Sequence, residues 1–458
     1  MKEVIMQLDM TTGRPMPIIL RFLIPIFIGN MFQQFYNMVD SIIVGRYVGT
    51  EAFAAVGSTG TIMFLVLGFA NGLSTGFTVL TSQRFGAKDA WGVRRSVANA
   101  IILSVIVSVV VTAISLVSMG SILHLMNTPA NIYHYAYDYI IIITGGTGAV
   151  CFYNLFSALL RSVGNSKAPL FFLILSATLN IFLDLLFIIG FRWEVKGAAI
   201  ATIASQAISA VLCVIYILTK VKMLVPHRNE WKLVPEYAKK QLGVGFPMAL
   251  QFAITASGTM IMQSAINRFG SDAIAGFNAS SKIGNLLTQA FPSLGQSMAT
   301  YTGQNFGKGD IDRIHEGSHV ALKISLVASI LGAGLALLLL RPAIPLFLGG
   351  NADISTILPW AKPYTYLSTI FYMPLGILFI YRDMMQGCGY GFLPMMGGVL
   401  ELVARFTTAM LSMHFNSYWL GVAGDPAAWI VTGIFDAIAY HYVIKDVRRR
   451  FDAAKATE

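Results

Sequence analysis

Charge is what this chain has least of. Asp, Glu, Lys and Arg make up 12% of its 458 residues and hydrophobic residues 55%, whereas a soluble domain carries about a quarter charged. The few charges are bunched and leave apolar stretches of twenty or more residues. A helix needs about 20 such residues to cross the hydrocarbon layer, where a free backbone amide finds no partner. The stretches therefore read as membrane spans, and a soluble globular fold is excluded. Cysteine is nearly absent: Cys151, Cys213 and Cys388 lie far apart, in or beside apolar segments. That excludes a disulfide framework and offers no metal-ligand spacing, so each reads as a small buried hydrophobe. The seven histidines show no HExxH spacing and no GxSxG occurs, which removes the zinc-hydrolase and serine-hydrolase signatures. The chain is read as a non-enzyme that needs no cofactor. Residues 1–15 are polar and lack the apolar region and cleavage site of a secretory signal.

What is present is an all-α membrane pattern. Twelve spans are expected, at about residues 16–42, 52–80, 95–120, 134–158, 168–190, 197–219, 239–266, 273–301, 315–341, 355–381, 392–414 and 422–444. Pro25, Pro247, Pro292 and Pro374 fall inside them and mark expected kinks. With the N-terminus placed in the cytoplasm, the cytoplasmic segments hold 24 of the 32 Lys and Arg residues and the outer segments 6. This split follows the positive-inside rule. It explains the net charge of +10 as an orientation signal facing anionic lipid, and no nucleic-acid partner is implied.

The sequence also repeats itself. Thr81–Asp89 (TSQRFGAKD) matches Thr302–Asp310 (TGQNFGKGD) at five of nine positions, and at the same offset of 221 Val48–Ala52 parallels Phe269–Ala273. Further on, Arg161–Pro169 parallels Gln386–Pro394, sharing Gly164/Gly389 and the proline. Six spans per half is an even number, so both halves enter the membrane the same way round. Two six-helix lobes related by a pseudo-two-fold along the membrane normal are expected, with a substrate cavity between them near the midplane. The domain reading is a first lobe over 1–219, a cytoplasmic linker over 220–238, a second lobe over 239–445 and a cytoplasmic tail over 446–458.

Polar and ionisable groups inside spans are costly and mark function by default. The first span carries Asn30, Gln33, Asn37 and Asp40 at helical steps, one face bordered by Gln34. The fifth carries Ser176, Asn180 and Asp184, and the sixth Thr202, Gln206 and Ser209, again one face each. Asp40 and Asp184 in one half suit a shared site for a proton or a bare Na⁺. The second half differs: span seven has Gln251, span eight has Lys282, Asn285 and Gln289, and span eleven has Glu401 and Arg405 at i,i+4. That last pair reads as a structural, self-neutralising ion pair. Lys282 fits either a carboxylate partner or a gate. Asp138 and Asp436, near span ends, are expected to be solvated.

Gln33–Asp40 (QQFYNMVD) with Val44–Arg46, Thr81–Asp89, Ala158–Asn165 (ALLRSVGN) with Pro169, and Val195–Thr202 (VKGAAIAT) together resemble the multidrug and toxic compound extrusion (MATE) family, in family order over essentially the whole chain. The resemblance implies a bacterial inner-membrane exporter of small organic, often cationic, compounds in exchange for H⁺ or Na⁺. It would work as a monomer with both termini in the cytoplasm. From the DinF-like branch it implies an ion-coupling site on Asp40, Asp184, Asn180 and Thr202; Asn154 also fits, and Tyr139 matches more loosely. Gln33, Gln34, Asn37, Gln251, Lys282, Asn285 and Gln289 are then expected to line the substrate cavity. The NorM-like branch adds acids in spans seven and ten, where this chain offers only Asp383, at a span end. A flippase of lipid-linked saccharides from the same superfamily is the alternative, kept by the basic Lys282 and Arg405.

Overall fold

The computed structural model describes residues 7–126, 128–347 and 354–457. Lys2, counted among the cytoplasmic bases, and Glu458 of the expected tail lie outside the described residues. Among those residues the structure is helical throughout. In order the helices are α1 (Pro15–Tyr47), α2 (Thr50–Gly86), α3 (Ala90–Leu125), α4 (Ala130–Gly145), α5 (Thr147–Ser162), α6 (Lys167–Leu185, widened into a π-turn over Leu186–Gly190) and α7 (Glu194–Lys220). Then follow α8 (Pro235–Asn267), α9 (Ser271–Thr288), α10 (Ala290–Lys308), α11 (Ile311–Phe347), α12 (Ile354–Ile370), α13 (Tyr372–Gly387), α14 (Phe392–Phe415), the short α15 (Tyr418–Val422) and α16 (Gly424–Thr457). Eight helices are long and apolar enough to cross a membrane, and the bent pairs α4–α5 (47°) and α12–α13 (53°) bring the number to ten. The pair α9–α10 and helix α14 stand outside that set; they carry Lys282, Glu401 and Arg405.

The breaks have local causes. Between α9 and α10 and between α12 and α13 the helix restarts so that Pro292 and Pro374 fall at the third position of the new helix. A residue there has no intrahelical partner for its N–H, so proline loses nothing. Pro25 and Pro247, in contrast, sit within unbroken helices. The α4–α5 bend, which the sequence reading did not foresee, falls at Gly146. A Cβ there would lie 2.5 Å from Ile203.

The internal repeat has a backbone explanation. Gly49 and Gly270, Lys88 and Gly309, and Gly164 and Gly389 all take positive φ, pairwise at equivalent helix ends. After the second pair, Asp89 accepts from Gly92 N–H at 2.8 Å and Asp310 from Arg313 N–H at 3.1 Å. Each half thus reuses one left-handed helix stop followed by one aspartate N-cap.

The chain forms two compact units, one of residues 1–12 and 24–250 and the other of 13–23 and 251–458. The boundaries fall inside α1 next to Pro25 and inside α8 near Pro247. In the first unit α2 is the centre, packed on α3, α4 and α5, with α7 on α4, α5 and α6. Its core includes Phe77, Leu155, Leu159, Leu160 and Cys213. Here α8 meets α2 with almost no side chain between them: a Cβ at Gly76 would sit 2.3 Å from the Gly245 Cα, and one at Gly72 2.8 Å from the Ala249 Cα. Close approach of this kind is how helices associate in lipid, where burial from water gives no drive. In the second unit α10 packs on α13, α14 on α16, and α9 on α12, around Phe277, Tyr364 and Tyr418 in one layer and Phe291 and Tyr372 in another. Val109, Ile114 and Val117 on α3, Leu331 and Leu338 on α11, and Ile438 on α16 are exposed, the apolar faces a helix shows to lipid.

The segment after α7 is held to α3. Glu230 accepts from His227 N–H at 2.6 Å and from Arg94 Nε at 3.0 Å, while Asn99 donates to Lys232 O at 3.2 Å and accepts from Val234 N–H at 2.8 Å. Burial alone would raise the Glu230 carboxyl, but the His227 amide and the Arg94 guanidinium outweigh it and hold it below the usual carboxylate range.

Two measurements test this packing. Gly76→Val should cost about 3 kcal/mol or more, because backbone must move, and Gly57→Ala, with nothing within 4 Å, should leave the melting midpoint in detergent unchanged or slightly higher; equal midpoints for the two variants would refute the close approach. For the connector, a depressed carboxylate lends stability above its unfolded pKa and loses it as pH falls through the folded value. Limited proteolysis of residues 221–234 should therefore be faster in Glu230→Gln than in the parent at neutral pH, and the difference should close in acid.

Candidate functional site

Four helices of the first unit deliver oxygen atoms to one place. Helix α1 brings Tyr36 and Asp40, α4 brings Tyr139, α6 brings Asn180 and Asp184, and α7 brings Thr202 and Gln206, with Ser209 one turn further along the same face. The steps of four along α6 and of three or four along α7 put each set on one face, and these faces are turned inward: Asp40, Tyr139, Asn180, Asp184, Gln206 and Ser209 are all buried. The Asp40 and Asp184 carboxyl groups face each other. Tyr36 and Tyr139 both face this pair, and Gln206 bonds Tyr36. Asn180 Nδ2 donates to Thr202 Oγ1 at 3.4 Å.

What these groups leave undone is informative. Asp40 Oδ1, both oxygens of Asp184, Asn180 Oδ1, Gln206 Oε1 and Ser209 Oγ are buried without a hydrogen-bond partner among the described residues. No Lys, Arg or His figures among the interactions of the two carboxylates. Two acids and several neutral oxygens, with no base, form an acceptor-rich pocket that one small cation or proton would complete. Among the described residues no group of three or more His, Cys, Asp or Glu is placed to hold a metal ion.

Of the other expected coupling residues, Asn154 is half-buried on α5. On α1, Gln33 and Asn37 are exposed and Gln34 is half-buried, so the polar stripe lies open and only its Asp40 end is packed. On α9, Lys282 and Asn285 are exposed, as is Asn278, and Gln289 at the helix end is half-buried. Gln251 on α8 is buried.

Glu401 and Arg405 form the ion pair that their spacing suggests, at 3.1 Å and both buried, but they are not alone. Arg405 Nε also reaches Asp425 Oδ1 at 2.9 Å, and Asp425 accepts from the Tyr364 hydroxyl at 3.1 Å. Arg382 lies 3.6 Å from Glu401 and 3.5 Å from Asp383, and the Gln251 amide turns its oxygen to Arg382 at 3.0 Å. A Cβ at Gly258 would stand 3.1 Å from Arg405 Cδ, so glycine makes the room. The expectation of solvated Asp138 and Asp436 needs correction. Asp138 is largely covered and paired with His134 at 3.0 Å and Lys196 at 3.2 Å. Asp436 has no exposed surface at all, because α16 packs on α13 and α14 and its carboxyl lies against Gly397.

Removing one partner of a buried ion pair strands the other, at about 3–5 kcal/mol. Arg405→Met leaves Glu401 and Asp425 uncompensated and should lower the melting midpoint in detergent steeply, whereas Lys222→Met at an exposed position should not. Equal midpoints would remove the structural role assigned to the pair.

Comparison with known proteins agrees with this architecture. The MatE family profile matches residues 25–186 and 247–425. The "Probable multidrug resistance protein YpnP" of Bacillus subtilis (strain 168) is 30% identical over 308 residues, 67% of this chain and 68% of that protein. The "FAD transporter" of Shewanella oneidensis is 24% identical over 445 residues, 96% of each chain. Among solved structures, "MATE in complex with MaL6" superimposes with a TM-score of 0.90 at 22% identity, over 97% of this chain and 99% of that one. That likeness shows the fold: an all-α integral membrane protein of twelve transmembrane helices in two lobes.

Proposed function

Because the chain belongs to the multidrug and toxic compound extrusion (MATE) family of membrane transporters, we propose that it exports small organic compounds by exchanging them for H⁺ or Na⁺ bound at Asp40 and Asp184. The observation that carries this reading is the set of buried, unpartnered oxygens on α1, α6 and α7 with no base among them. A cation is the one ligand such a set favours, and a bundle in lipid has no water to supply the missing charge.

Coupling requires that cation and substrate prefer opposite states or compete for one site. Asp40 serves that purpose, since it closes the pocket on one side and continues into the open stripe of Gln34, Asn37 and Gln33 on the same helix. An organic cation held at that stripe draws on the same carboxylate that the coupling ion takes. Binding of the ion at Asp40 and Asp184 from outside then weakens the hold on the substrate, and discharge of the ion to the cytoplasm resets the transporter. Asn180 and Thr202 orient the α6 and α7 oxygens, and Tyr139 seals the pocket at α4. We place the protein in a bacterial inner membrane as a monomer with both termini in the cytoplasm, in line with the distribution of its basic residues.

The exposed Lys282 and its neighbours Asn278 and Asn285 favour a second reading, in which the substrate is anionic. One relative bears the name of a transporter of FAD, and a lipid-linked saccharide phosphate would present the same charge.

Proteoliposomes separate these readings. Ethidium should leave against its gradient when a Na⁺ or a pH gradient is imposed, the effective gradient naming the ion, and Asp40→Asn and Asp184→Asn should each bring export to background. Wild-type rates in both variants would sink the coupling assignment. Export of FAD or a lipid-linked saccharide in place of ethidium, lost in Lys282→Gln, would establish the anionic reading.

A further inference from the structure

The second unit holds a buried cluster whose charges do not balance. Asp383, Glu401, Asp425 and Asp436 face two guanidinium groups, Arg382 and Arg405. Arg405 is taken by Glu401 and Asp425, and Arg382 by Asp383 and Glu401. Nothing is left for Asp436. Its carboxyl is fully buried on α16, and neither of its oxygens has a hydrogen-bond partner among the described residues.

The packing makes room for this group. A Cβ at Gly397 on α14 would sit 2.9 Å from Asp436 Oδ1 and 3.4 Å from Oδ2, so the carboxyl lies flat on bare backbone. Asp383 is received in the same way by Gly295 on α10, where a Cβ would fall 2.2 Å from its Oδ2. Around Asp436 the charged groups are Arg382 and Asp383 from α13 and Glu401 from α14. Further along α16 the phenol of Tyr440 stacks on Tyr381 of α13 at 4.6 Å. Exposure is graded through the cluster. The side chains of Arg382 and Asp383 are 14% and 13% exposed, that of Glu401 is 5% exposed, and Asp436 is sealed.

We propose that Asp436 is a proton-binding site of the second unit, separate from Asp40 and Asp184, filled and emptied through the Arg382–Asp383 end of the cluster, the more exposed end of that route. An ionised carboxylate with no donor in an apolar bundle is far more costly than its neutral acid. A proton arriving by way of Asp383 and Glu401 removes that charge. Arg382, which contacts both of those carboxylates, is the positive group beside the path and admits no second cation. Three carboxylates that do not converge closely enough to ligate a metal together also favour a proton over Na⁺. This site stands whether or not Asp40 and Asp184 couple transport, since no residue is shared.

The test uses the purified full chain with Asp40→Asn and Asp184→Asn, which silences the first unit. Infrared difference spectra across a pH series should retain a carboxylic-acid carbonyl band that vanishes at high pH, with release of one proton per chain to an indicator dye. Adding Asp436→Asn should remove both signals. Because that variant can fail to fold, side-chain isotope-labelled aspartate in the double variant gives an independent reading: the band should shift. The proposal is overturned if the double variant shows no such band, if the band is insensitive to labelled aspartate, or if Asp436→Asn leaves it in place. Saturable binding of radioactive sodium that Asp436→Asn abolishes would equally overturn it, by assigning the site to Na⁺.

Discussion

An ionised side chain placed in a lipid-embedded bundle must find its counter-charge inside that bundle, and the rest of this structure follows from that constraint. Asp184 and Asp436 have no exposed surface and Glu401 almost none, so water cannot serve as their counter-charge. Each unit meets the requirement differently. The second answers three of its acids, Asp383, Glu401 and Asp425, with two arginines carried on α13 and α14. The first places none beside Asp40 and Asp184 among the described residues, the imbalance on which the proposed ion binding rests. The duplicated fold therefore hosts two electrostatic problems with different solutions, and the difference lies in side chains on a shared backbone plan.

Helix packing has to accommodate these groups without opening the bundle. Glycine is the means on both sides: Gly72 and Gly76 bring α2 against α8 in the first unit, and Gly258, Gly295 and Gly397 make space for Arg405, Asp383 and Asp436 in the second. The first group gains van der Waals contact between backbones, which is the available attraction between helices in lipid. The second group gives up side-chain packing to admit polar atoms. A methyl group at either kind of position acts on a different property, the fit of two helices in one case and the environment of a charge in the other.

Much of this was legible in the sequence because a membrane helix is a simple object. Asp184 and Asn180 share a face by spacing alone, and Glu401 and Arg405 are one turn apart. The repeat of TSQRFGAKD in TGQNFGKGD marks a left-handed helix stop and an aspartate cap, and both structures follow from local rules. What was not legible depends on neighbours. Tyr36 looks like a core aromatic until the helices that turn it toward Asp40 and Asp184 are known. Asp425 and Arg382 join Glu401 and Arg405 only through tertiary packing, and no spacing connects α13, α14 and the start of α16. Hydropathy ended the last span near residue 444, which put Asp436 close to an interface. The helix continues to Thr457 on charged residues, but what buries Asp436 is its packing against Gly397 of α14, a tertiary contact that hydropathy does not report. The unit boundaries inside α1 and α8 were hidden for a similar reason, since hydropathy assigns a helix to the membrane but not to a bundle.

The position of those boundaries bears on how ion binding could act at a distance. Asp40 lies on the part of α1 that belongs to the first unit, while residues 13–23 of the same helix belong to the second, and Pro25 stands at the junction. Proline removes one backbone hydrogen bond and so lowers the resistance of a helix to bending at that point. On the proposed ion binding, a change in the charge at Asp40 would alter the force holding its end of α1 against α6 and α7, and a helix weakened at Pro25 yields to such a force more readily than a fully bonded one. Pro247 gives α8 the same property near its own boundary. If the coupling ion binds at Asp40 as proposed, α1 carries both the ion's ligand and the proline at which the helix bends most readily, so the two would be linked through a single element.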